Sequence, residues 1–274
     1  MKFKIFILLS SVAVLAAGCK KSWLDVNKNP NQLTGTISPS FIFTAALSTT
    51  VANEVAQNEL GSYWSGQWTQ SSSYIFSATT FAYQFTNSNF NYWDPIFNNL
   101  EDYQNVINNA DAMDQPFLKG PAQVMKAYLF QKLVDMYGNV PYSEALKGIE
   151  KLFPKFDDQK AVYEALIPLL DTAIANIKAN AFTGAFASSD IANGASQTKW
   201  IKFANTLKLR ILIRQDRIPG RDAYIVSNLQ KIIAEGSGFL GAGQDVGVNP
   251  GYTAADTRQN PLYDDQCPVL KKAA

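Results

Sequence analysis

Between residues 198 and 217, Trp200, Phe203, Ala204, Leu207 and Ile211 fall on one side of a 3.6-residue period. That spacing dictates an amphipathic helix, and similar spacing returns along most of the chain. It predicts a helix over 40–60, where Phe41, Ala45, Leu47, Val51, Val55 and Leu60 spread at helical intervals. Another is predicted over 91–110, through Trp93, Ile96, Phe97, Leu100, Tyr103, Val106 and Ile107. A third covers 121–137, with Val124, Tyr128, Leu129, Leu133, Met136 and Tyr137 on one face. Two more cover 160–178, through Val162, Leu166, Leu169, Ala173, Ile174 and Ile177, and 221–235.

The punctuation agrees with these boundaries. Ser38 before Pro39 suits a cap followed by a first helical residue. Asp157 or Asp158 caps the 160–178 helix, and Gly138 closes the 121–137 helix from the position after its last turn. Pro168 is expected to kink or split the helix that contains it. The fold class is all-α: antiparallel helix pairs with a spacing of roughly 40 residues, the scale of helical-repeat solenoids, joined by short turns and a few long loops, although no segment matches the tetratricopeptide consensus cleanly.

One stretch breaks the pattern. Residues 60–95 crowd eleven aromatic side chains among Ser, Thr, Asn and Gln, without a charge until Asp94. Rings in a neutral, hydrogen-bonding setting suit an uncharged ligand with apolar faces and many hydroxyls, such as a sugar. The alternative for each ring is a loop that covers the core. Trp64, Trp68, Tyr74 and Tyr83 are the candidate ligand-stacking residues, with Gln67, Gln70 or Asn87 as hydrogen-bonding neighbours. Tyr92, Trp93 and Phe97 start a helix at core spacing and are assigned to the core.

Charge and composition narrow the chemistry. Lys+Arg number 24 against 23 Asp+Glu, a net charge of +1 that gives no reason to expect nucleic acid. Lys199, Lys202, Lys208, Arg210, Arg214 and Arg217 make one helix basic, and they read as a solvated face with salt bridges to neighbouring helices. There is no histidine, which removes the usual neutral-pH general base and the commonest metal ligand. No metal site, cofactor motif or catalytic residue is found. Gly236, Gly238 and Gly241 spell Gly-x-Gly-x-x-Gly, but a predicted helix precedes them where a phosphate loop needs a strand. The pairs Asp157–Asp158 and Asp264–Asp265 read as caps and turns, since a glycosidase needs carboxyls facing each other across a cleft.

Residues 1–18 read as a targeting segment. Lys2 and Lys4 precede an apolar run over 5–17 that is shorter than the about 20 residues a membrane span needs. Small residues then lead to Cys19, as in a bacterial lipoprotein signal, so Cys19 is the expected lipidation site. Acylation there leaves Cys267 without an internal disulfide partner. Residues 19–37 form a tether rich in Asn, Pro and Lys.

Four segments carry a resemblance to a known family: WLDVNKNPNQ at 23–32, YWDPIFNNLEDYQNVI at 92–107, LVDMYGNVPYSEAL at 133–146 and KWIKFANTLKLRILIR at 199–214. In this order they resemble the SusD/RagB family of Bacteroidetes outer-membrane nutrient-binding lipoproteins. The resemblance implies a body of tetratricopeptide-like helix pairs with loops forming the ligand face. It implies a binding protein, not an enzyme. The role implied is a lipid-anchored, cell-surface lid on a SusC-like TonB-dependent outer-membrane transporter, capturing oligosaccharides, polysaccharides or peptides for import. Family members usually run longer than this chain, so residues 38–274 are expected to be the N-terminal part of a SusD-like domain whose C-terminal half is missing. Lys20, Lys21 and Ser22 stand where an acidic pair often accompanies surface export. Two other readings stay open: a helical scaffold lipoprotein that binds only protein, and a secreted hydrolase working through carboxylates.

Overall fold

The computed structural model describes residues 37–69, 78–84, 86, 89, 91–253, 255, 259 and 260, without the side chains of 56–60. Cys19, the tether, Gln70, Tyr74, Asn87, the Asp264–Asp265 pair and Cys267 lie outside the described residues. Residues Ser38–Ala274 form one compact unit.

The described residues build helices joined by turns, with one isolated antiparallel bridge between Val140 and Asp157. The helices are α1 (Pro39–Trp64), α2 (Ala78–Phe81), α3 (Trp93–Asn109), α4 (Lys119–Tyr137), α5 (Gln159–Ala179), α6 (Gly184–Ala187), α7 (Gln197–Ile213) and α8 (Asp222–Glu235). Long helices pack in chain order: α1 on α3, α3 on α4, α4 on α5, α5 on α7 and α7 on α8.

Helix α1 starts with Pro39 in its first turn, as the sequence indicates, but the Ser38 side chain does not cap it. Gln115 does so from 75 residues away, its Oε1 accepting from the Ser40 N–H at 3.0 Å and its Nε2 donating to Ser38 Oγ at 2.9 Å. The inward stripe also differs from the expected one. Phe43, Ala46, Leu47 and Thr50 are buried, while Ala45 is exposed and Phe41 is 72% exposed. Thr50 tolerates burial because its hydroxyl donates to Ala46 O at 2.9 Å and lies 2.8 Å from Tyr103 Oη.

Helix α4 is the centre of the body. It touches α3, α5 and α7, so apolar residues are buried around most of its circumference rather than on one face. It closes at Gly138, whose φ of 74° is a left-handed conformation that a side chain would resist. Asp158 caps α5, accepting from Lys160 N and Ala161 N at 3.0 and 3.2 Å. Asp157 does not cap; its carboxylate takes the N–H groups of Tyr142 and Ser143 instead. Helix α5 runs unbroken through Pro168, so the expected split does not occur. Pro168 lies on the exposed face, where water can satisfy the carbonyl that proline leaves without a partner.

Helix α7 buries the expected face: Trp200, Phe203, Ala204, Leu207 and Ile211. It ends at Ile213, four residues earlier than its period suggests, as Gln215 N turns to Leu212 O. Three basic residues in α7 and its C-terminal cap tie it to neighbouring helices. Lys208 reaches Asp171 of α5 at 2.5 Å, Arg214 reaches Asp135 of α4 at 2.7 Å, and Arg210 lies over the Tyr128 ring.

Trp200 is fully buried and donates its indole N–H to Asp190 at 2.7 Å. The same carboxylate accepts from the backbone N–H groups of Ala192, Asn193 and Ala195. Four donors satisfy a charge that would otherwise be costly to bury. They also hold Ala195 at a φ of +57°.

Candidate ligand-binding site

The aromatic stretch is partly helical. Its first residues form the last turn of α1, which carries Tyr63 and Trp64. The chain reverses at Gly66, φ +74°, as Gln67 N and Trp68 N both bond to Ser62 O at 3.0 Å. That reversal sets Trp68 edge-on to Tyr63, with ring centres 5.9 Å apart. Phe81, from α2, meets the same Tyr63 ring at 5.0 Å. Tyr83 stacks over Trp64 at 6.0 Å with an interplanar angle of 29°. The Trp64 indole N–H donates to Thr80 O at 3.2 Å, tying α1 to the segment that presents Tyr83.

Three of the four expected residues, Trp64, Trp68 and Tyr83, therefore come together; Tyr74 is outside the described residues. They are not equivalent. Trp64 and Trp68 are half-buried, and Tyr83 is 66% exposed. Tyr83 also holds a φ of +55°, a conformation costing of order 1 kcal/mol in a residue with a bulky side chain. The backbone is thus strained at the most exposed ring of the cluster. Tyr63 and Phe81 are the supports that sequence reasoning left out of the candidate set. Their signal was adjacency: neighbours such as Tyr63 and Trp64 in one helical turn point to different sides, so both faces of that turn need partners. No charged residue occurs between Leu60 and Trp93. The arrangement offers an apolar ring face in a neutral, amide- and hydroxyl-rich setting, which is suited to stacking and hydrogen bonding.

Tyr92, Trp93 and Phe97 pack against the core as expected. Trp93 lies edge-on to Tyr137 at 5.1 Å and stacks with Phe156 at 5.8 Å.

The carboxylates show no facing pair at Asp157–Asp158. Burial pushes the Asp157 carboxyl up, but hydrogen bonds from Ser143 and Tyr142 outweigh it and hold the group below its ordinary range. Glu144 is lowered by the Lys155 backbone N–H and by Lys151. Among the described residues no group of His, Cys, Asp and Glu is placed to hold a metal ion. The glycine string follows helix α8 directly, with Gly236 as its left-handed cap.

A concavity of about 1060 Å³, away from the aromatic cluster, opens beside the N-terminal half of α1. Phe41, Met113 and Ile191 line it together with hydroxyl-bearing residues such as Ser40, Thr44 and Ser189. The Thr44 hydroxyl lies within hydrogen-bonding distance of Ser40 O and Ser189 O, at 3.0 and 2.8 Å, so it braces the wall.

The fold and the cluster define a helical scaffold that displays neutral aromatic side chains at the end of α1 and in the segment after it. Residues 30–271 match the family profile described as SusD-like, starch-binding and associating with the outer membrane, and the chain belongs to that SusD-like family. Among solved structures it is similar to a SusD/RagB family protein from Bacteroides thetaiotaomicron, at 21% identity and a TM-score of 0.60 over 84% of this chain and 48% of that one. It is also similar to a SusD homologue from Bacteroides uniformis, at 26% identity and a TM-score of 0.51 over 62% of this chain and 33% of that one. A chitin-binding SusD homologue from Flavobacterium johnsoniae aligns at 24% identity and a TM-score of 0.50, over 57% of this chain and 33% of its own length. No functionally curated protein matches significantly. The chain spans a third to about half the length of these solved relatives.

Proposed function

We propose that this chain belongs to a lipid-anchored outer-membrane nutrient-binding protein, held by acyl chains on Cys19 at the cell surface. It captures glycans, with oligopeptides as the second ligand class, for a SusC-like TonB-dependent transporter, and it does so by binding without catalysis. The observation that carries the proposal is the charge-free cluster at the end of α1, where Tyr83 is exposed over Trp64. Trp68 lies in the same cluster, and we propose Tyr74 as a further ligand contact. The family description, starch-binding and associating with the outer membrane, supports the same reading.

The test is affinity electrophoresis of the 38–274 unit in native gels carrying starch, soluble chitin and other polysaccharides, with reducing-end release measured on the same panel. Retardation in at least one gel without release is expected. Unchanged migration throughout would favour a scaffold that binds only protein, and release of sugar would favour a hydrolase. Metabolic labelling with a clickable fatty acid tests the anchor; label is expected in the wild type and not in Cys19→Ala.

A further inference from the structure

The concavity beside the N-terminal half of α1 has walls fixed by bonds between distant parts of the chain. Gln115 holds Ser38 and Ser40, and the Thr44 hydroxyl lies 2.8 Å from Ser189 O. Asn249 N donates to Ile191 O at 2.7 Å. The concavity is thus preformed, and its volume of about 1060 Å³ sits at the upper end of the range of ligand pockets. It is separate from the aromatic cluster. Phe41 in its wall and Trp64 in the cluster stand at opposite ends of α1, about 35 Å apart at about 1.5 Å of rise per residue.

Three features of the wall select the ligand. Phe41 is 72% exposed, whereas Phe43 on the same helix is fully buried, so one ring stands open to the concavity. Asp114 is the one charged residue among the described residues that line it. The turn that carries Asp114 is fixed, because Gln115 N closes on Ala110 O at 2.7 Å. Asp114 holds a φ of +56°, a conformation that aspartate tolerates. Lys119 pairs with Asp111 at 2.5 Å instead, and among the described residues no cation or donor occupies the Asp114 carboxylate. The hydroxyls of Ser48 and Thr183 likewise have no hydrogen-bond partner among the described residues.

An open ring, an open carboxylate and hydroxyls on a wall without cations suit a neutral sugar. The ring stacks on the C–H face of a pyranose. The carboxylate accepts from neighbouring sugar hydroxyls, in bonds stronger than those between neutral groups. A lone negative charge repels uronates, sulfates and phosphates. An acyl chain would desolvate the carboxylate and hydroxyls without replacing their hydrogen bonds. We propose that this concavity is a second carbohydrate site, taking a short neutral stretch of glycan with Phe41 as the stacking ring and Asp114 as the hydroxyl acceptor. The proposal rests on the reading of the protein as a glycan binder and adds a site to it.

The test is amide NMR of the isotope-labelled 38–274 unit, titrated with maltotriose and with triacetylchitotriose. With at least one of them, shifts are expected at residues 41–48 and 113–115. The same shifts are expected in Tyr83→Ala, whereas Phe41→Ala and Asp114→Asn should each need roughly tenfold more sugar to reach them. Trigalacturonate and trilysine should not reproduce them. Phe41 and Asp114 are exposed and asparagine accepts a positive φ, so both variants should melt with the wild type. Phe153→Asp, at a 90% exposed ring between α4 and α5, is the control and should bind as the wild type does. Sugar shifts confined to the aromatic cluster would overturn the second site and leave the glycan reading standing. Wild-type affinity in Phe41→Ala and Asp114→Asn, or equal shifts with trigalacturonate or trilysine, would overturn it too. Shifts at 41–48 and 113–115 with none at 63–83 would support the second site and count against the aromatic cluster. Absence of shifts at both ends would overturn the second site, while retardation in the polysaccharide gels tests the cluster separately.

Discussion

Gly120 lies where α4 packs tightly against α5. A methyl group built on it would meet Ile177 Cγ1 at 2.5 Å and the Ala173 carbonyl oxygen at 2.9 Å. Neither neighbour can yield readily: Ile177 is fully buried, and the other atom is backbone of α5. Gly120→Ala must therefore push the helices apart or force Ile177 off its rotamer. Overpacking of this kind costs about 1–3 kcal/mol. The gain in helix propensity, at most about 1 kcal/mol, offsets part of that cost and is smaller in a first turn. The net expectation is a loss of about 1–2 kcal/mol. For a unit of this size that lowers the melting temperature by about 2–8 °C in calorimetry. Gly120→Ala combined with Ile177→Ala should cost less than the sum of the two single changes, because the second removes the clashing carbon. A Gly120→Ala variant as stable as the wild type, or strictly additive changes, would refute the reasoning.

Asp190→Asn should destabilise the unit by about 3 kcal/mol in urea unfolding, since one carboxylate oxygen facing N–H donors becomes an NH₂ group. Substitution with an unchanged midpoint would show that the four bonds contribute little. Glu235 supplies a pH-dependent contribution. Burial pushes its carboxyl up, but hydrogen bonds from Lys178, Ser237 and Asn205 outweigh it and lower the group from 4.5 to about 2. A depressed carboxyl stabilises the fold above its unfolded pKa and loses that effect as pH falls, here between about 4.5 and 2. The stability difference between wild type and Glu235→Gln should therefore shrink across that window; a difference constant with pH would contradict the assignment.

Helix α7 was legible in the sequence because Trp200, Phe203, Ala204, Leu207 and Ile211 recur on one face, but Lys208, read as part of a solvated face, is buried against Asp171. Helix α4 was legible as a helix but not as the centre of the fold. Burial on several sides leaves no single stripe, and its start at Lys119 precedes the Pro121 that looks like a first-turn residue. The cap of α1 was not legible, because Gln115 reaches Ser40 only after the chain has folded. Phe41 shows the same limit: its hydrophobicity suggests the core, and only tertiary packing, which sets Phe43 against Tyr103, Phe186 and Trp200, decides that Phe43 goes in instead. At the candidate site, composition marked the right stretch. It did not separate Tyr83, which is exposed, from Trp64, which holds Tyr83 in place, because that division depends on the Thr80 bond and on the turn at Gly66.

The most direct measurement compares wild type, Tyr83→Ala and Phe153→Asp in the same polysaccharide gels. A stacked ring contributes about 1–1.5 kcal/mol, so Tyr83→Ala should weaken binding roughly tenfold and lose most of the retardation. Phe153→Asp, on a different segment, should migrate as the wild type does. Undiminished retardation of Tyr83→Ala would contradict the claim that the aromatic cluster at the end of α1 is the ligand-binding surface.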